Sequence, residues 1–401
     1  ILKYCKLFLS SVALFAGRKS VHRLSAMHTY ALVFAVLMVV FTSSACEDDD
    51  SDPPMPPGPG EEMIEGPNVA TPYTLEIASF MPRPPEANMI ELTEEGIELG
   101  RRLFYDPLMS RDNSISCASC HRQELAFTDG RRLSPGVRGL PGMRNAMSLV
   151  NLIYNVEGFF WDGSSPTLAD QAIHPIEDVL EFDNDWPTVV ERIRASEDYP
   201  KRFRAAFGID FKSEITRELV TNAIAQFEST IISDNTRFDQ YNYLNEGFPT
   251  PEETDGAELF FIEFAQAGQL HPGCSHCHNK PSFGSNRFFN TGLDTVATLN
   301  DFPDLGRGGE TGNIFENGMF RAPTLRNISL TAPYMHDGRF NTLEEVLDHY
   351  ASGGHPTENR DPNITGFPLT QQQKEALIAF MESLVDEELI TDERFSNPFE
   401  E

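Results

Sequence analysis

Apolar residues recur at helical spacing in three stretches of the chain. Residues 92–105 carry them on one face and open with a Thr93-x-x-Gly96 turn, and residues 215–232 form a longer amphipathic run. Residues 342–350 read as a helix with Thr342 near its N-cap, ended by Gly353 and Gly354. Alternating, strand-like patterns are few and short. Two Gly/Pro-rich loops, 134–142 and 301–312, are long for a chain that packs only against itself. The pattern predicts a mainly α fold.

A different pattern fills the start of the chain. The run YALVFAVLMVVF at 30–41 is 12 residues long, short for a membrane span and suited to the apolar part of an export signal, with Met27 as a plausible start. The small residues TSSA before Cys46 resemble a lipoprotein cleavage box, although Ser43 stands where Leu is usual. Lipid anchoring through Cys46, simple secretion and an uncleaved anchor are the three readings of residues 1–46. Residues 47–70 are acidic and rich in Pro and Gly, so they read as a tether that buries no core. The expected division is then 71–245, 246–395 and a tail at 396–401.

Charge narrows the partners. With 31 Lys and Arg against 61 Asp and Glu, the formal net charge is −30. Nucleic acid, which needs clustered cations, is excluded as a partner. An acidic surface suits a basic protein or electron donor drawn in by long-range steering; its alternative reading is solubility alone.

Of the six cysteines, Cys5 and Cys46 lie in the targeting region, and the other four form two CxxC pairs, each followed at once by His. These are Cys117, Cys120 and His121, and Cys274, Cys277 and His278. Two thiols at that spacing meet the two vinyl groups of a haem, and the adjacent His ligates the iron. A redox dithiol would sit in a βαβ setting, which this pattern lacks. A zinc site would strain tetrahedral geometry through the Cys-His adjacency. Two c-type haems, one in each half, are the reading, and the long loops are those expected where backbone wraps a cofactor.

The surrounding motifs go further. The N-terminal half carries MRNAMSLVN at 143–151, FWDG at 160–163 and LADQA at 168–172. The C-terminal half carries DLGR at 304–307, RAPTLRN at 321–327 and TAPYMHDG at 331–338. Over roughly residues 90 to 390 the chain resembles the bacterial di-haem cytochrome c peroxidase and MauG family. The resemblance implies two cytochrome c-like domains with few short strands, and His121 as proximal ligand of the peroxide-reacting haem. It implies Trp161 as an electron relay, and Gln171 and Glu181, ten and twenty residues later, in the distal pocket. A carboxylate there can move the proton that O–O cleavage requires. Read without the resemblance, Glu181 is a solvated acid in an acidic stretch and Trp161 a packing residue. Asn145, Thr331 and Pro333 match the family's calcium site, and hard oxygen ligands suit Ca²⁺; each also fits a turn.

Two departures bear on subtype. The family's peroxidases carry a His on the loop after the first CxxCH, but residues 122–148 here contain none. His174 lies beyond Trp161, where a structural role is expected. The first haem is therefore expected to be five-coordinate and open. Fourteen residues after His336, where those peroxidases have Met, stands Tyr350, as in MauG-like members; His349 and Met335 are its rivals as ligand of the second iron. A phenolate favours oxidised iron. The expected function is a periplasmic or cell-surface, hydrogen-peroxide-dependent oxidoreductase whose reducing substrate is a cytochrome, a cupredoxin or a side chain of a partner protein. The rivals are a non-enzymatic di-haem electron-transfer cytochrome, which an open first haem argues against, and a haem-based sensor, which lacks a signalling domain here.

Overall fold

A computed structural model describes residues 61–262 and 272–400. The export segment, Cys5, Cys46 and most of the tether lie outside the described residues. Residues 61–401 form one compact unit. It is mainly helical, and the one sheet among the described residues pairs two strands of two residues, β1 (Phe288–Phe289) and β2 (Phe320–Arg321), antiparallel with Phe288 opposite Arg321. No helix among the described residues is long and apolar enough to cross a membrane.

The helices start where the side chains can cap them. In α1 (Glu94–Tyr105) the Thr93 hydroxyl accepts from the Gly96 amide at 3.0 Å. The longer helices that follow in the N-terminal half are α2 (Trp186–Ala195), α3 (Tyr199–Phe207) and α4 (Arg217–Ser229). The C-terminal half is built on α5 (Pro251–Phe260), α6 (Leu343–Ser352) and α7 (Gln371–Glu382). Each of these three opens with a reciprocal Thr–Glu or Thr–Gln capping box, so each start is fixed locally. Gly353, at φ 83°, ends α6.

The two halves repeat one crossing that no short-period pattern announces. Gly100 of α1 lies against the Ala223 carbonyl and the Phe227 side chain of α4. Gly256 of α5 lies in the same way against the Ala376 carbonyl and the Phe380 side chain of α7. In both places a Cβ would enter backbone, so only glycine lets the helices approach. Below these crossings sit separate apolar cores, one around Leu99, Val189, Phe203 and Ile224, the other around Phe238, Phe260, Leu377 and Phe380. The chain's last stretch returns to the first half. Leu389 and Phe395 pack with Phe104, Phe127 and Phe227, and Gln123 donates to the carbonyls of Leu389 and Asp392 at 2.9 and 2.8 Å.

Candidate functional site

Both CxxCH sequences fold into the same 3₁₀ turn, over Cys117–Ser119 and Cys274–His276. The histidine amide donates back to the first cysteine's carbonyl, at 3.0 Å for His121 and 2.9 Å for His278. A phenylalanine at positive φ then follows in each half, Phe127 (60°) and Phe283 (53°), and its carbonyl meets the histidine ring. His121 Nδ1 lies 2.9 Å from Phe127 O; His278 Nδ1 lies 3.2 Å from Phe283 O and 3.1 Å from Pro323 O. A carbonyl only accepts, so Nδ1 bears the proton and donates it, which leaves the Nε2 lone pair free. That is the tautomer and the ring fixation a metal-ligating histidine needs. Burial holds both imidazoles below their ordinary range and therefore neutral.

Burial also pushes the thiols up, Cys120 to about 11 and Cys274 and Cys277 to about 12, with Cys117 higher still. A redox dithiol needs the opposite shift. Thiols kept neutral beside a neutral, oriented imidazole fit covalent haem attachment. The second turn opens onto a cavity of about 1630 Å³, its mouth included, lined by Cys274, Cys277, His278 and Tyr350. Two thiols, an oriented imidazole and a phenol set among apolar side chains are a lining that fits a covalently held haem.

Tyr350 reaches this cavity from the last turns of α6, and burial keeps its phenol far above the usual tyrosine range. Its neighbour His349 is engaged elsewhere, its Nε2 lying 3.0 Å from the Thr291 carbonyl. Met335, at φ 72°, and His336 share the cavity wall. His336 stacks on Phe320 with ring centroids 3.6 Å apart, and burial lowers it to about 4.

In the N-terminal half, Glu181 is half-buried at the end of a turn, and its charge acts on both Cys117 and Cys120. Burial, with a smaller contribution from Asp178, pushes its carboxyl up to about 7. The 134–142 loop is fastened over the same turn. Val137 N donates to Glu181 O at 2.8 Å, and Arg138 grips Asp183 through two bonds of 2.6 and 2.8 Å. Gln171 ends a single helical turn, Leu168–Gln171, capped by Thr167, and no hydrogen bond joins it to Glu181 among the described residues. His174 is exposed, its ring edge-on to Phe160.

Trp161 lies between these two regions, 9% exposed and on the wall of the large cavity. Its indole N–H donates to Asn145 O at 2.9 Å, and its own carbonyl accepts from Arg321 N at 2.8 Å. Asn145 N in turn donates to His336 O at 2.7 Å, so the tryptophan is tied to both halves. Asn145, Thr331 and Pro333 each line that cavity as well. The Asn145 amide nitrogen is spent on the carbonyls of Arg131 (2.8 Å) and Arg132 (3.3 Å), which leaves its Oδ1 as the free oxygen.

Sequence reasoning passed over two buried charged residues. Glu228 lies on the buried face of α4, 5% exposed, with Oε2 unpartnered, and burial pushes it up to about 8; its charge is the foremost one acting on Cys117. The signal was an acid set among apolar neighbours on a helix face. Arg321 stands first in the RAPTLRN motif and is 3% exposed.

The comparisons agree with this geometry. Residues 94–246 match the family model described as di-haem cytochrome c peroxidase. The chain is 34% identical over 302 residues to the methylamine utilization protein MauG of Methylorubrum extorquens, covering 75% of this chain and 80% of that protein. It is 32% identical to the cytochrome c551 peroxidase of Nitrosomonas europaea, covering 73% and 80%. Among solved structures, a MauG-like protein associated with microbial copper homeostasis superposes with a TM-score of 0.71 at 35% identity, over 81% of this chain and 99% of that one. With paired CxxCH turns, each histidine ring fixed by a backbone carbonyl, and relatives aligned over most of its length, the chain belongs to the di-haem cytochrome c peroxidase and MauG family, hydrogen-peroxide-dependent oxidoreductases with two haems c.

Proposed function

We propose that Cys117, Cys120 and His121 would hold the peroxide-reactive haem, that Cys274, Cys277 and His278 would hold the second, and that Trp161 is the electron relay between the two sites. The observation that carries this reading is the asymmetry between the halves: a carboxyl at about 7 near the first CxxCH turn, a tyrosine in the cavity of the second. The bound iron supplies the redox centre for the overall reaction, in which H₂O₂, two electrons and two protons give two waters. Glu181 holds or moves a proton at its carboxyl oxygens, and its value near 7 suits it to do both at neutral pH. Gln171 orients the peroxide by its amide. Loop 122–148 carries no histidine, which leaves the first haem open.

His278 and Tyr350, which line one cavity, are the residues that would hold the iron of the second haem. The engagement of His349 with Thr291 favours Tyr350 over it. Asn145 Oδ1 and the carbonyls of Thr331 and Pro333 are assigned to calcium, which would brace the wall that carries Trp161. The reducing substrate is a protein, a cytochrome, a cupredoxin or a partner's oxidisable side chain, drawn to an acidic surface. We place the protein in the periplasm or at the cell surface, exported by residues 1–46. We place the domain boundary near residue 245, just after Phe238, Tyr241 and Tyr243, which already pack in the C-terminal core.

Electron paramagnetic resonance of the resting ferric protein, then one equivalent of peroxide, tests the reading. One high-spin and one low-spin haem, both signals lost on peroxide, is the expected result. Two low-spin haems inert to peroxide would refute it. Tyr350→Phe should alter the low-spin signal alone; an unchanged signal would move the ligand role to another residue.

A further inference from the structure

The turn that carries Glu181 is held by two separate segments of chain. Val137 N donates to Glu181 O at 2.8 Å and Arg111 N to Phe182 O at 3.0 Å, while the Asn184 side chain donates to Met109 O at 2.8 Å. A Cβ on Gly136 would come within 2.0 Å of Leu180 O, so the 136–138 segment lies directly on the turn. The other segment is moored to α2, where Arg192 donates to the carbonyls of Leu108, Ser110 and Arg111 at 2.6–2.9 Å. Along the chain, Arg111 precedes the first CxxCH turn and Arg138 follows it.

Asp183 is where the two segments meet. Arg138 gives its carboxylate two bonds, Nε to Oδ2 at 2.6 Å and Nη2 to Oδ1 at 2.8 Å, and Arg111 Nη1 donates to the same Oδ2 at 2.5 Å. The Asp183 side chain is 9% exposed, against 59% for Arg111 and 47% for Arg138. Its backbone stands at φ 50°, in the left-handed region, which Asp and Asn tolerate better than other side chains. Isolated ion pairs at a surface contribute little, but a two-pronged contact joined by a further charge fixes geometry.

We infer, on the role proposed for Glu181, that Asp183 is a positioning residue for the reaction with peroxide: through Arg111 and Arg138 it ties the Glu181 turn to the chain on either side of the haem-attaching turn, and so fixes where the Glu181 carboxyl stands. The latch acts by position. Among the described residues, burial and then Asp178 raise the Glu181 carboxyl, Cys117 and Cys120 feel its charge, and neither Asp183 nor its two arginines shifts it directly. Loosening the turn therefore admits water to the carboxyl and lets it ionise more easily.

The test compares wild type, Asp183→Asn, the double variant Arg111→Ala with Arg138→Ala, and the triple variant, all as holoproteins. Asn keeps the left-handed backbone and loses the charge. Stopped-flow rates with hydrogen peroxide are followed against pH. An infrared titration of the Glu181 carboxyl, recognised by its loss in Glu181→Gln, reads the same midpoint without turnover. Asp183→Asn should lower both midpoints from about 7 by about one pH unit, tenfold in the ionisation constant, and cut the plateau rate by on the order of 10–100-fold. Amide exchange at Val137 and Arg111 should quicken while both haems stay attached. The double variant should behave alike, and adding Asp183→Asn to it should change nothing further. Wild-type midpoints and plateau in Asp183→Asn overturn the inference, as does a further shift in the triple variant. Failure of the Glu181 reading looks different: Glu181→Gln then leaves the rate unaltered, while the infrared midpoint still decides whether Asp183 positions the carboxyl. Should Asp183→Asn not accumulate, the double variant, altered only at exposed side chains, decides by the same two midpoints.

Discussion

In the N-terminal half the CxxCH turn has two carboxyls near it, Glu181 and Glu228, both pushed up by burial. In the C-terminal half the equivalent turn opens on a cavity that holds Tyr350 and borders Arg321. The scaffold beneath is shared: the 3₁₀ turn, the positive-φ phenylalanine, the Nδ1–carbonyl contact and the Gly-on-Ala-Phe helix crossing recur in both. The comparison teaches that haem attachment and haem use are encoded separately. A repeated backbone secures the two imidazoles, and the groups set around each turn differ; on the proposed reading they assign proton handling to one half and electron handling to the other.

The sharpest way to break the comparison is to remove the proton-handling group from one half. Glu181→Gln should slow the reaction with peroxide by about 10²–10⁴-fold in stopped-flow kinetics while both haems remain attached. The pH profile carries the sign. In wild type the rate should rise as the carboxyl ionises through about pH 7, and in the variant that step should vanish. An unaltered rate and profile would end the role of Glu181.

The shared scaffold predicts symmetric damage. Gly100→Ala and Gly256→Ala each drive a methyl into backbone, and each should cost about 1–3 kcal/mol in denaturant unfolding. If only one substitution is harmful, the two crossings are not equivalent.

Glu228 gives a smaller effect, confined to the N-terminal half. Its folded value, about 8, lies above the unfolded 4.5, so between those pH values the folded state holds a proton that the unfolded chain has lost. The stabilisation is full below about 4.5 and is lost as pH rises through 8. Glu228→Gln should therefore match wild type near pH 5 and exceed it at pH 9 by on the order of 1–3 kcal/mol. Equal denaturation midpoints at pH 9 would show that the carboxyl finds a partner. The smallest expected change is that of Arg138→Ala. It frees one loop, so hydrogen exchange at the Val137 amide should quicken while the unfolding midpoint stays where it was.

Much of this was legible in the residues. Thr93, Thr342 and Gly353 marked helix ends because capping and positive φ are local demands, met within one turn of chain. The CxxCH spacing named the prosthetic group because two thiols and an imidazole must meet fixed points on one macrocycle. The 215–232 run was read a few residues too long, since Thr216 caps the helix and only Arg217–Ser229 is helical.

What escaped were relations between distant segments. Gly100 and Gly256 look like helix-weakening residues until their partner helices are in place. Glu228 and Arg321 look like ordinary surface charges until burial removes their water. Thus the sequence by itself determined the chemistry that depends on neighbours in the chain: two covalent haem sites in an acidic, mainly helical protein. Only the tertiary structure decided which histidine nitrogen is free, where Glu181 reaches a value near 7, and that a cation lies buried beside Trp161. Those properties depend on desolvation and on hydrogen-bond partners brought from distant segments, as when Arg321 meets the Glu157 carbonyl 164 residues back.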